Sequence, residues 1–120
     1  MEKLDEQLLV ECVRGGDINA VISLLDGGAN IEAKTRDGNT PLIKASWNGH
    51  TEIVKLLLDR NADINVANKY GCTSLIKASG EGCYDIAKLL LEGVLNNFLF
   101  NIYDRLTIDG TTPSPSIPST

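Results

Sequence analysis

Apolar residues in this 120-residue chain fall in short clusters with helical spacing, broken by segments rich in Gly, Asn and Asp. Leu4, Leu8 and Cys12 mark the apolar side of a first helix. Leu42, Ala45, Ser46 and Gly49 run at i, i+3, i+4 and i+7, which puts small or apolar groups on one helical face. Thr40 is placed to cap that helix. Pro41 suits its first position, where no backbone donor is needed. Small side chains at 45 and 46 allow a close neighbour, and Gly49 can take the left-handed conformation that ends the helix. Thr51 opens a second helix. Its Ile53, Val54, Leu57 and Leu58 point inward, while Glu52, Lys55 and Asp59 stay in water. Asn61 falls in the exit turn, and Asn is one of the few non-Gly residues that tolerates positive φ.

The clusters repeat. Gly38–Leu58 laid over Gly71–Leu91 gives 13 identities in 21 positions at an offset of 33 residues. A weaker copy lies one period earlier: Leu9, Gly16, Val21, Leu24, Leu25, Asp26, Ala29 and Ile31 fall under Leu42, Gly49, Val54, Leu57, Leu58, Asp59, Ala62 and Ile64. Its opening turn is replaced by the charged run from Glu2 to Gln7, the polar outer face an end cap requires. A single pair of such helices cannot bury its own apolar face, so the units must stack. Each inward leucine then contributes roughly 1.5–3 kcal/mol by leaving water.

The 33-residue step, Thr40-Pro41-Leu42, Gly49-His50 and the Leu56-Leu57-Leu58 run together resemble the ankyrin repeat, over about residues 6–92. The resemblance implies an all-α solenoid of stacked helix-turn-helix repeats with hairpin loops. It implies a domain over 1–106, with repeats at about 1–37, 38–70 and 71–106. Ile43 and Ile76 stand where the family carries histidine, and isoleucine is expected to replace a hydrogen-bonding tie with packing.

After Leu91-Glu92-Gly93 the expected Ala-Asp-Ile-Asn segment is missing. Leu95, Phe98, Leu99, Ile102 and Leu106 form one face of a helix, whereas Phe98, Phe100 and Ile102 alternate as a strand would. The helix uses more of the apolar residues and is expected to cover the end of the stack. If it does not dock, both phenylalanines become an exposed patch. Asp109-Gly110-Thr111-Thr112-Pro113 echoes Asp37-Gly38-Asn39-Thr40-Pro41, as if a fourth unit began. Prolines at 113, 115 and 118 forbid a helix there, so 107–120 reads as a disordered Pro/Ser/Thr-rich tail, perhaps the shortened end of a longer array.

Composition narrows the function. A net charge of −5 argues against nucleic acid, which calls for a basic face. The charged N-terminus lacks the apolar stretch of a signal peptide, and no apolar run has membrane-spanning length; the expectation is a cytoplasmic or nuclear protein without membrane contact. Three cysteines without a Cys-x-x-Cys pair, and the single His50, point away from a disulfide framework and a zinc site. His50 reads as a tie between repeats rather than a general base. Cys12 reads as inert core, Cys72 lies beside a hairpin tip, and Cys83 replaces a repeat histidine. No enzyme, metal or other cofactor is expected.

What remains is surface. In ankyrin-like proteins partners bind the groove formed by the hairpin tips and the outer face of each first helix. The resemblance places Arg36, Asp37, Asn39, Trp47, Asn48, Asn68, Lys69, Tyr70, Cys72 and Glu81 there, edged by Lys44 and Lys77. Arg14 and Gly80 stand at the Trp47 position in the other units, so the fold does not demand a tryptophan. Trp47 is either an interface anchor or a filler against the next unit. The function expected is protein–protein recognition by a monomeric adaptor or inhibitor. The alternatives are self-association through 95–106, or a truncated product without activity of its own.

Overall fold

The computed structural model describes residues 3–15 and 17–108. They form six helices: α1 (Lys3–Arg14), α2 (Ile18–Asp26), α3 (Pro41–Trp47), α4 (Thr51–Asp59), α5 (Ser74–Gly80) and α6 (Tyr84–Ile108), with no strand among the described residues. The expected all-α solenoid is what forms. The first helices of the units, α1, α3 and α5, pack on one another in one row, and α2, α4 and α6 pack in the other.

Local chemistry sets the helix ends. Thr40 and Thr73, both extended, accept through their hydroxyls from the N–H of Ile43 at 3.3 Å and of Ile76 at 3.2 Å. Pro41 occupies the first turn of α3 as expected. Asp17 caps α2 through a bond from the Asn19 N–H at 2.9 Å. Asp5, nearly buried on α1, accepts from the Asn30 N–H at 2.7 Å and so ties the first helix to the loop that leaves α2.

The core runs along the boundary between the rows. Leu8, Cys12 and Val21 in the first unit, Leu42, Val54 and Leu57 in the second, and Ala78, Ile86 and Leu90 in the third are all buried. Ile43 is buried as the packing substitute expected, but Ile76 is exposed. The third unit has no successor among the described residues to cover it.

The end of the stack differs from the expectation in one respect. Residues 94–106 are helical, but not as a separate cap: they continue the second helix of the third unit into the 25-residue α6. The reason lies at one position of the repeat. Gly28 (φ 103) and Asn61 (φ 65) take the left-handed conformation that turns the chain out of α2 and α4. The equivalent residue is Val94, whose branched side chain disfavours positive φ, so no exit turn forms. The helix runs straight on, Val94 packs against the core, and Leu95, Phe98 and Phe100 remain exposed. Thr107 and Ile108, read from sequence as tail, belong to α6, and 109–120 lie outside the described residues.

Leu57 sits at the centre of this arrangement. Leu57→Ala should cost about 2–5 kcal/mol in equilibrium urea unfolding through lost burial and the cavity left behind. Lys55→Ala on the wet face of the same helix should stay within about 0.5 kcal/mol.

Candidate functional site: the hairpin and first-helix face

Two turns project beside the row of first helices. In the first, the Thr35 N–H donates to the Asn39 carbonyl at 3.0 Å and the Asn39 N–H to the Thr35 hydroxyl at 3.1 Å. In the second, Asn68 replaces Thr35 one repeat later, and its side-chain oxygen accepts from the N–H groups of Tyr70 at 2.9 Å and Cys72 at 3.0 Å. The two turns lock together. Asn68 Nδ2 donates to Asn39 Oδ1 at 2.9 Å, and the Lys69 N–H donates to the Asp37 carbonyl at 2.9 Å. Gly38 (φ 82) faces the Asn68–Lys69 backbone so closely that a side chain there would press against it.

This geometry corrects two expected partner contacts. Asn39 and Asn68 are buried. Their amides satisfy each other and the turn backbone, so they shape the surface from beneath and do not face a partner. Asp37 and Lys69 are half-exposed and joined by an ion pair of 2.9 Å. The hydrogen bond and charge of Asp37 raise the Lys69 pKa above its ordinary value, while Lys69 Nζ lies 5.2 Å from the centre of the Tyr70 ring. Arg36 and Tyr70 are exposed at the two turns. Asn48 and Glu81 are exposed at the C-terminal ends of α3 and α5, with the Asn48 side-chain amide donating to the Lys44 carbonyl at 2.7 Å.

Trp47 is neither buried filler nor an isolated ring. It remains 38% exposed. Lys77 Nζ lies 3.8 Å from its ring centre and Lys44 Nζ 5.6 Å, so the lysines of two successive units bracket one indole. Towards α1, Leu9, Val10, Val13, Arg14, Thr35 and Lys44 line a shallow depression of about 300 Å³. Val10 and Val13 are exposed there, and sequence reasoning missed them by treating the outer side of α1 as uniformly polar. Val10 occupies the position of buried Ile43, which was the available signal.

His50 stands just before α4 and gives its helix no side-chain cap. Its Nε2 donates to the Val13 carbonyl at 2.6 Å, across the unit boundary. Gly15 (φ 65) lies under the imidazole, where any side chain would collide with the ring. Among the described residues, no three His, Cys, Asp or Glu side chains gather as a metal site, and no helix is long and apolar enough to cross a membrane.

A family model of ankyrin repeats, in three copies, matches residues 9–100. The chain belongs to the ankyrin-repeat family. No curated protein matches it significantly. Ankyrin repeats in general bind other proteins, and in this chain the polar ties that hold the repeats together are the Asn39–Asn68 amide pair, the His50 tie and the 2.7 Å ion pair of Arg60 with Asp26.

Asn68→Ala should therefore destabilise the ankyrin domain by about 1–3 kcal/mol, because it orphans the Asn39 amide and two turn N–H groups. Tyr70→Ala at the exposed turn should change thermal stability little.

Burial, reinforced by neighbouring Glu11, pushes the Cys12 thiol up to about 12 from 9.0. The folded chain thus keeps a proton that the unfolded chain loses above its ordinary pKa. Stability should fall by up to about 1.4 kcal/mol per pH unit between those two values. Cys12→Ala should remove that part of the alkaline slope in denaturant melts run across the range.

Proposed function

We propose that this ankyrin chain is a non-catalytic recognition module. It presents the face made by its first helices and turns to an acidic, partly apolar segment of another protein, as a small adaptor or inhibitor in the cytoplasm or nucleus. One observation carries the reading: Trp47 held between Lys44 and Lys77 with a third of its surface still open. The bracket fixes the indole without burying it, so little conformational freedom remains to be lost when a partner covers it. Tryptophan flanked by cations is the kind of group that dominates binding energy at protein interfaces. Arg14, Arg36, Lys44 and Lys77 give this face a local positive character on a chain of net charge −5, and Val10 and Val13 offer an apolar contact beside it.

Catalysis has little to work with here. The only imidazole is tied to a backbone carbonyl, and the carboxylates are dispersed. Asp37 is paired with Lys69, Asp26 with Arg60, and Glu52 with Lys55 at 3.6 Å.

Trp47→Ala and the double variant Lys44→Glu/Lys77→Glu test the proposal in pull-downs from the source cell. Affinity is then measured by calorimetry on the captured partner. The tryptophan variant should lose about 2 kcal/mol or more of binding, roughly thirtyfold, with a melting temperature within a few degrees of wild type. The charge variant should abolish the salt dependence of binding. A collapsed melting transition in Trp47→Ala, with binding unchanged per folded molecule, would assign the ring to packing and sink the proposal.

A further inference from the structure

Beyond the stack, α6 carries Leu95, Phe98, Leu99 and Ile102 along one side, exposed by 55%, 60%, 40% and 41%. At 100° per residue this strip lies roughly 130° around the helix from Ile86, Leu90 and Val94, which face the core. The chain cannot lay the strip on its own stack without breaking α6. The expectation of a monomer rested on that docking, and the structure removes it.

We propose that the strip is covered by the same strip of a second copy of this chain, with the two α6 helices antiparallel about a two-fold axis between Phe98 and Leu99. A two-fold interface must be self-complementary: where residue i meets j, j must meet i. The strip satisfies this on reversal. Leu95 comes level with Ile102, Phe98 with Leu99, and Leu99 with Phe98. Charge agrees with the direction. The antiparallel register sets Glu92 level with Arg105 of the second copy at both ends of the seam, whereas a parallel pair sets like charge level with like. A lipid surface is a poorer occupant, because interfacial helices flank their apolar side with several Lys or Arg and this chain is acidic overall. The seam is short, at the small end of stable interfaces, so dissociation on the order of 10 µM follows.

The test is sedimentation velocity on the 120-residue chain, from low micromolar to several hundred micromolar. The mass should rise from 12.9 kDa towards twice that value. Leu95→Gln/Phe98→Gln should hold it at the monomer throughout. Both side chains are exposed, so the variant's helix signal and melting temperature should match wild type. Trp47→Ala should dimerise like wild type, which separates this proposal from the groove reading.

Orientation is read by electron-spin distance between copies labelled at Asp85→Cys in a Cys72→Ser/Cys83→Ser background. Cys12 is buried and unreactive there. The antiparallel pair places the labels 27 residues apart along the seam, about 40 Å at 1.5 Å per residue. Three results would overturn the proposal: a monomer at every concentration, a label distance below about 20 Å as in parallel helices, or a chain that stays monomeric and sediments with phosphatidylcholine–phosphatidylserine vesicles.

Discussion

No helix pair in this protein covers its own leucines; each depends on the next pair to keep them from water. That dependence turns one backbone conformation into the control point of the whole array. The next unit can stack only if the chain leaves the second helix through a left-handed residue that swings it back across the row. Gly28 and Asn61 supply that conformation in the first two units. Val94 stands at the same place in the third, and a β-branched residue resists it by roughly 1–2 kcal/mol. The chain continues as helix instead. The length of α6, the exposure of Ile76 and the displaced strip beyond Leu95 all trace to that one position.

The burden of stability therefore falls on the middle unit. Leu42, Ile43, Val54 and Leu57 are sealed on both sides, whereas the equivalent outer positions Val10 and Ile76 are exposed in the flanking units. In a nearest-neighbour stack of three, the centre contributes to both boundaries and each end to one. The polar ties follow the same boundaries. His50 reaches back to Val13, Arg60 to Asp26, the Asp63 N–H to Glu32 at 2.8 Å, and Asn68 to Asn39. These bonds add modest energy but fix the register in which the leucines meet.

Much of this was legible in the chain. The 33-residue step, the Thr caps and the left-handed Asn61 are local rules, and local rules are visible without a fold. The merger of α6 was equally written at Val94, but reading it required laying three exit turns side by side rather than counting apolar periodicity. The burial of Asn39 and Asn68 was less visible. A polar residue in a turn reads as surface until the neighbouring turn is known to close on it. The bracket around Trp47 needed tertiary structure too. Lys44 and Lys77 are equivalent residues of successive units, and only the stacking brings the second of them over a ring that belongs to the first.

That last relation shows how a repeat protein makes a specific surface from non-specific parts. A lysine recurring at a fixed place in each unit forms a row of like charges, which repel weakly across the stack. An aromatic ring inserted between two of them turns the repulsion into a shared attraction, since each ammonium sits against the negative face of the indole. The screening length at physiological salt is about 8 Å, so the remaining negative charge of the chain scarcely reaches this site. Net charge governs solubility and the approach from a distance. The local sequence of cation, ring and cation governs what can settle there, and it differs from repeat to repeat because Arg14 and Gly80 hold the positions that Trp47 holds in the centre.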